Sequence, residues 1–450
     1  MSDYNLPLHA VTLDASKFLL INGEYLRSRR TLSNTSTSKM MRTSVAFLAL
    51  LALAQARTLQ EQGARADCTW SLNNDLPATQ ALYIKPGGSL NTNGFWLPQS
   101  GDVVTVPEGG QVLFACPGGT LTGPETTEAL LTCSGGSTFT DESGNTFLFN
   151  TLACSINPVH TARRVAGASC GNSADNSLVE IGFELSNGDF YTIIETCFND
   201  VTLDSLYSKK LQVPAIAGHQ PDLPNPSFVW DSAFYPPTLD LNAQYSIEGQ
   251  TAAIAQAVGS VDLAAQYITD VNFVTHGRMT AERDNIYGAH QSVAFWYLNM
   301  APQWDSVNSG NWESVELSTR AFAAGRPNDL TVYTGTHGTT TLADVNGNQV
   351  PIYVAYDDSG NGVLKVPAFY WRVVYDETTQ QGVAFVGLNN PYIDSPGSDF
   401  YLCPDVCSQI SWINWDPSNQ ALGFAYCCEV GALAQVVEEI PSLTVTGLLT

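Results

Sequence analysis

The sequence predicts an α+β protein: a disulfide-rich all-β N-terminal module followed by an α+β domain with a mixed or antiparallel sheet. Three observations carry this. Ten cysteines fall into two blocks, Cys68, Cys116, Cys133, Cys154, Cys170 and Cys197 in one, and Cys403, Cys407, Cys427 and Cys428 near the end. Residues 67–205 are short apolar or alternating runs separated by Gly, Pro, Asn and Asp, the pattern of successive strands. Beyond them, Ala-rich stretches with helical spacing alternate with strand-like runs.

Composition bounds the function. The chain has 450 residues, of which 44% are apolar and 10% aromatic. That supplies a core for one large or two ordinary domains and excludes a disordered chain, a coiled coil or a collagen-like fibre. Only 14% of residues are charged, with 19 Lys+Arg against 43 Asp+Glu, for a net charge of −24. Such a surface repels phosphate backbones at long range. It argues against a general nucleic-acid coat protein and leaves room for a local basic groove.

The N-terminal 56 residues read as targeting and processing. Residues 1–39 are a polar upstream extension. Residues 40–56 form a secretory signal peptide: Met40, Met41 and Arg42 make a short positive start, Val45 to Leu53 is apolar, and Ala54-Gln55-Ala56 is a cleavage signal. The run is short for a membrane span, and no other stretch reaches about 18 apolar residues. Secretion without a membrane partner is expected, and with it oxidised thiols. Three bridges are expected in the first cysteine block and two in the last. Cys427 and Cys428 should pair with Cys403 and Cys407, because a vicinal bridge is strained. Without Cys-x-x-Cys pairs, a zinc site is disfavoured.

Residues 101–107, 111–116 and 177–185 read as strands, and Asn187-Gly188 as a hairpin turn. The proline-rich stretch 218–228 reads as a linker. It divides a Cys-rich β module (57–217) from a second domain (218–450). In the second domain, Gly249 to Thr269 and Asn311 to Ala324 read as helices, with Ser309 or Asn308 as N-cap of the latter. Strands are expected at 274–279, 330–333, 350–356, 370–375 and 383–388. Gly167-Ala-Ser-Cys-Gly171 matches a nucleophile-elbow pattern but lacks the strand and helix it needs. Asp357-Asp-Ser-Gly-Asn-Gly362 begins like a calcium loop but has Ala368 at the twelfth position, and reads as a hairpin turn.

The chemically informative stretch is 271–316. Asn299, Asn308 and Glu316 stand out, with Asn308 at a helix start and Glu316 eight residues later. An Asn carbonyl is a hard oxygen ligand of the kind Mg²⁺ takes in small number while keeping most of its waters. Read without context, Asn308 caps the helix and Glu316 is a solvated side chain.

The stretch from about residue 225 to about 430 resembles the secreted, sugar-non-specific DNA/RNA endonucleases with a ββα-metal active site. The resemblance rests on Ala301-Pro-Gln-Trp304, Asn308-Ser-Gly-Asn-Trp312, Trp371-Arg-Val-Val-Tyr-Asp376, Phe385-Val-Gly-Leu-Asn-Asn-Pro-Tyr392, Phe400-Tyr-Leu-Cys-Pro-Asp-Val-Cys407 and Tyr426-Cys-Cys428. It implies a metal ion on Asn308, a water shell supported by Glu316, and a further active-site Asn at Asn299. It also implies a general-base His in an Arg-Gly-His strand, and DNA or RNA as partner.

The base position departs from the family pattern. The family's Arg-Gly-His is here His276-Gly277-Arg278, with Arg278 where the base belongs. A base must accept a proton near neutral pH; His can, and a guanidinium with a pKa above about 12 cannot. In a strand, His276 shares a face with Arg278 but is displaced by roughly 6.5–7 Å, too far to serve the same water without a β-bulge at Gly277. The basic residues of 218–450 are Arg278, Arg283, Arg320, Arg326, Lys365 and Arg372. Of these, Arg283, Arg320 and Arg372 are the candidates for substrate phosphate, and so small a set predicts weak, salt-sensitive binding. Ala368 and Ser292 stand where the family commonly carries basic residues.

Three readings follow. One is a catalytically impaired member of the family that retains the metal-site residues. Another is an active Mg²⁺-dependent endonuclease using His276 or another base. The third places the function in the N-terminal module. The Arg278 replacement favours the first.

Overall fold

A computed structural model describes residues 66–221 and 223–450. The upstream extension (1–39) and the signal peptide (40–56) lie outside the described residues. Among the described residues, no helix is long and apolar enough to cross a membrane.

The N-terminal part is all β, as expected. Strands β1 (Cys68–Ser71), β2 (Leu82–Ile84), β3 (Val103–Val106), β4 (Gln111–Ala115), β5 (Glu128–Gly135), β6 (Thr138–Thr140) and β7 (Thr146–Leu148) form two sheets. One pairs β1 with β3; the other runs β2-β4-β5-β6-β7. Alternate residues of β3 and β4 point inward, and Trp70, Tyr83, Phe114, Phe139 and Phe149 pack there edge-on or stacked. Burying rings of this size supplies most of the local driving force.

The strands that follow change the expected division of the chain. β8 (Thr161–Arg164), β9 (Asn176–Glu184), β10 (Phe190–Asn199) and β11 (Ser205–Gln212) belong to the large central sheet. So do β14 (Leu330–His337), β19 (Phe369–Asp376), β20 (Gln381–Leu388) and β21 (Ala425–Cys428), in the order β21-β20-β19-β14-β11-β10-β9-β8. β11 pairs antiparallel with β14 from Tyr207↔Gly335 to Gln212↔Leu330. The expected boundary between 217 and 218 therefore does not separate two sheets. It fails because strand pairing across it joins segments over a hundred residues apart, which local composition does not signal. Residues 218–228 are no free linker either. Gln220 is buried; its amide carbonyl accepts from the Gly288 backbone and its backbone carbonyl from Gln291 Nε2.

Apart from the last short strand pairing, all the central pairings are antiparallel. β9 and β10 join through Asn187-Gly188, with Gly188 at φ 88° as the turn requires. The bridges are Cys68–Cys133, Cys116–Cys154, Cys170–Cys197, Cys403–Cys428 and Cys407–Cys427. Their division into three and two matches the expectation, as does the pairing of Cys427 and Cys428 with Cys407 and Cys403 rather than with each other. Cys170 is thus half of a bridge, which disposes of the nucleophile elbow.

Among the described residues, four helices of six residues or more lie outside the central sheet: α1 (Ile247–Val258), α2 (Val261–Tyr267), α3 (Gly288–Val293) and α4 (Glu313–Ala324). The Ala-rich stretch is two helices rather than one. Gly259 ends α1 at φ 79°, and the Ser260 hydroxyl caps α2 by accepting from the Leu263 N–H. Asp357 closes a hairpin between β17 (Tyr353–Tyr356) and β18 (Gly362–Lys365), accepting from the Ser359 and Asn361 N–H groups at 2.9 and 2.8 Å. The carboxylate that a calcium loop would aim at a cation is spent on the turn.

Candidate active site

Two strands and a helix build the site. β12 (Val274–Arg278) and β13 (Met300–Trp304) pair antiparallel, and α4 follows β13 after a π-turn at Asn308–Trp312. The register runs without a shift through His276↔Pro302, Gly277↔Ala301 and Arg278↔Met300. No β-bulge shortens the gap between His276 and Arg278. Gly277 has a packing cause: a Cβ there would clash with Tyr370 Oη, and would lie 2.6 Å from Gln303 Cβ and 2.8 Å from Ala301 O. The missing side chain lets Tyr370 donate to the Ala301 carbonyl at 2.7 Å.

His276 is packed into an aromatic stack. Its ring lies between Phe228 and Tyr245, with centroids 4.0 Å away on either side and interplanar angles of 16° and 18°. Its Nε2 is 3.2 Å from Tyr297 Oη, which itself donates to Asn242 at 3.0 Å. Burial, aided by the Arg278 charge, brings its pKa down to about 4.

Arg278 is 29% exposed and pairs with Glu282 at 3.8 Å. Its guanidinium also sits 4.7 Å from the centre of the Phe295 ring. At the strand position expected for a proton acceptor there is a cation engaged by a carboxylate and an aromatic face.

Asn299 is fully buried and committed to the backbone. Its carbonyl accepts from the Thr280 N–H at 2.9 Å, and its amide donates to the Thr280 and Ala294 carbonyls at 2.8 and 3.0 Å. It pins the loop from β12 to β13, a positioning role rather than a phosphate contact.

The π-turn explains each residue of Asn308-Ser-Gly-Asn-Trp312. Asn308 is half-buried, does not cap α4, and makes no side-chain hydrogen bond among the described residues. Ser309 donates to the Asp305 carbonyl at 2.7 Å rather than capping. A Cβ on Gly310 would strike the Leu422 backbone. Asn311, which sequence reasoning missed, donates to the Asp416 and Gly423 carbonyls at 2.7 and 2.6 Å and accepts from the Asp416 N–H at 3.0 Å. Trp312 is buried against Tyr370. The turn is thus clamped on both sides of Asn308, leaving its amide open.

Asp284 is the other residue that sequence reasoning missed. It is buried and ion-paired to Arg372 at 2.8 Å and to Arg320 at 3.1 Å. Arg372 is itself fully buried and also reaches Thr334 at 3.3 Å. Burial alone would raise the Asp284 carboxyl; Arg372 and Arg320 outweigh it and hold the carboxyl below the usual range. Its chief partner lies 88 residues along the chain, so no local pattern marks it. Glu316, on the first turn of α4, makes no hydrogen bond or ion pair among the described residues. Burial first, then the Asp284 charge, push its carboxyl up to about 7, against the pull of Arg372, Arg320 and Arg278.

The candidate phosphate contacts are therefore otherwise occupied. Arg320 and Arg372 hold Asp284, while Arg283 is exposed and has an interaction of its own. Arg326 pairs with Asp376 at 3.0 Å and Lys365 with Asp204 at 3.9 Å.

A divalent ion fits the remaining donors. Asn308 and Glu316 offer an uncommitted amide oxygen and carboxylate, hard ligands suited to an ion that keeps most of its waters. The one clustered trio of His, Cys, Asp or Glu ligand atoms among the described residues is Asp405, Cys407 and Cys427, and its two sulfurs are bridged to each other.

The chain is similar in sequence to known proteins. Residues 174–433 match the family model for DNA/RNA non-specific endonucleases. The chain is 28% identical over 357 residues to a salivary endonuclease of Lutzomyia longipalpis, covering 78% of each. It is 23% identical to salivary protein Tsal1 of Glossina morsitans morsitans, covering 84% of this chain and 92% of that one. A salivary endonuclease of Culex quinquefasciatus is 26% identical over 61% of this chain and 68% of its own length. Among solved structures, a complex of EndoG with its inhibitor EndoGI aligns with 14% identity and a TM-score of 0.34, over 63% of this chain and 92% of that chain. The family match covers more than half the chain and begins within the central sheet, before β9. The chain belongs to the DNA/RNA non-specific endonuclease family.

Proposed function

We propose that the chain is a secreted nuclease homologue that retains the metal-site residues and binds DNA or RNA weakly, with phosphodiester cleavage impaired at the base. The observation that carries this reading is that Arg278, standing where the resemblance implies a general base, is held by Glu282 and Phe295. General-base catalysis typically contributes about 10²–10⁴-fold, so losing the base leaves a slow enzyme or a binding protein.

Asn308 would hold Mg²⁺, and Glu316 would order its waters. Held there, such an ion would supply charge neutralisation at the scissile phosphate and the leaving oxygen. Asn299 fixes the loop between β12 and β13. Arg278 orients a phosphate oxygen through its guanidinium but takes no proton from water. The paired state of Arg320 and Arg372 supports weak binding. Secretion is supported by the leader-like 40–56, the five bridges and the salivary names of the relatives.

A second reading is favoured by the names of the two salivary endonucleases: an active Mg²⁺-dependent enzyme with a different base. The stacked, hydrogen-bonded state of His276 speaks against that residue as the base.

The test is degradation of plasmid DNA and double-stranded RNA by the secreted chain and by Arg278→His, with Mg²⁺ or chelator. The expected result is slow or no cleavage by the natural chain and chelator-sensitive cleavage by the variant. Rapid, chelator-sensitive cleavage by the natural chain would overturn impairment and leave the second reading.

A further inference from the structure

A cavity of about 640 Å³ lies beside the site, in the size range of small-ligand pockets. Three separate parts of the chain wall it: Gln80 and His160 from the N-terminal half, Leu223, Pro224 and Pro226 from the proline-rich stretch, and α3. Glu282 also lines it, and Glu282 is the carboxylate that pairs with Arg278. One side chain thus joins the cavity to the strand bearing the base position.

The walls are fixed. The Val229 N–H donates to Phe295 O, and the Tyr297 N–H donates to Val229 O, both at 2.9 Å. These bonds tie the proline-rich stretch to the loop beside Arg278. Gly288 lets α3 approach closely, since a Cβ there would lie 2.5 Å from Leu223 Cδ1. A cavity held this way needs little ordering when it binds.

Its chemistry is that of a flat, neutral, hydrogen-bonding ring. Proline, leucine and valine side chains offer apolar faces. The Nδ1 of His160 accepts from the Trp296 indole N–H at 2.8 Å, which places the ring proton on Nε2. That donor has no partner among the described residues. Burial brings the His160 pKa down to about 4, so the ring is neutral at physiological pH. Gln80 Oε1 is a buried acceptor without a partner. Leaving the buried Gln80 oxygen unpaired is costly unless something fills it. Among the described residues, Glu282 is the one charged residue in the lining, so the cavity suits a neutral group and disfavours phosphate.

We propose that this cavity is a nucleobase pocket, taking the unstacked base of a single-stranded nucleotide whose phosphate lies at Arg278. The proposal rests on the nucleic-acid-directed reading above and adds a preference for unpaired bases. A base inside a duplex does not present its edge to such a recess.

The test uses the full secreted chain and uncharged nucleosides as probes, read by ligand-observed NMR titration. Binding of a 12-nucleotide single strand and of the matching duplex is read in parallel by fluorescence anisotropy. Ala78→Trp fills the rim from an exposed position, and His160→Phe removes the donor while keeping an aromatic ring; circular dichroism checks that both fold. The expected result is nucleoside binding that each variant weakens by about tenfold or more, with the single strand bound more tightly than the duplex. No nucleoside binding, with single strand still bound, would overturn the pocket and leave the nucleic-acid reading standing. Failure to bind nucleoside, single strand or duplex would overturn both. Nucleoside binding unchanged in both folded variants would also overturn the pocket.

Discussion

The imidazole of His276 lies flat against the Tyr245 ring, their centroids 4.0 Å apart. Phe228 covers the opposite face at the same distance. The histidine of the His276-Gly277-Arg278 motif is thus part of an aromatic layer.

This layer sets an acid-sensitivity. His276 titrates near 4 in the folded chain and near 6.5 in the unfolded one. Between those values the unfolded chain binds more protons, so this group's contribution to stability is full above about 6.5 and is lost as pH falls toward 4. His160 acts in the same sense. Glu316, raised to about 7 from 4.5, acts oppositely as pH falls through that window. Comparing variants isolates His276. His276→Phe keeps the stack and removes the proton site, so its stability relative to the natural chain should rise as pH falls from 6.5 to 4 and stay constant above 6.5. Urea unfolding at several pH values measures this. A constant difference across the range would contradict the protonation account.

Asp284 should be a larger determinant of folding. Asp284→Asn leaves Arg372, fully buried, without its carboxylate. Breaking a buried pair from one side costs about 3–5 kcal/mol, because a charge is left uncompensated. Replacing both partners, as Asp284→Leu with Arg372→Met, should recover much of that loss. Denaturant midpoints at constant m-value separate the two outcomes. A loss in the double variant equal to that in Asp284→Asn would mean that the pair itself, not the stranded charge, carries the stability.

The sequence makes some of these features legible and hides others for physical reasons. The two cysteine blocks predicted three bridges and two, and strain excluded the vicinal pair, but the individual pairings within each block were not legible because spacing alone does not select them. The hairpin at Asn187-Gly188 and the turn at Asp357 are local, and both were readable. The expected boundary at 217/218 was not, because the β11–β14 pairing joins distant segments. Asn308 read as a cap because it precedes a helix; the π-turn at 308–312 displaces it from that role. Asn299 read as a site residue because of its motif, yet its whole amide is used by the backbone. Asn389, buried in the Phe385–Tyr392 motif, likewise pins β13 by accepting from the Trp304 N–H and donating to the Pro302 carbonyl.

Gly277 is predicted to be intolerant of even a methyl group. An added Cβ would meet Tyr370 Oη and Gln303 Cβ, and neither can withdraw freely in so tight a layer. Gly277→Ala should cost about 1–3 kcal/mol, the usual range for overpacking a core. Tyr370→Phe in the same chain removes the clashing oxygen together with its bond to Ala301, and should recover part of the loss. Thermal unfolding of the two single variants and the double variant gives the coupling. Strict additivity would mean that the clash lies with Gln303 or the Ala301 backbone instead.

The engaged arginines make a last prediction about nucleic-acid binding. Each phosphate neutralised on duplex DNA contributes about −0.9 to the slope of log K against log salt concentration. Arg320 and Arg372 are bound to Asp284, and Arg278 shares its charge with Glu282. Few phosphates can then be neutralised, and the slope should be shallower than about −3. Glu282→Gln releases Arg278 from its carboxylate and should tighten binding at low salt while steepening the slope by about one contact. Anisotropy titrations with a labelled duplex over a range of salt concentrations measure both quantities. A slope steeper than about −5 in the natural chain would show that the internal pairs open on binding and that the arginines reach phosphate after all.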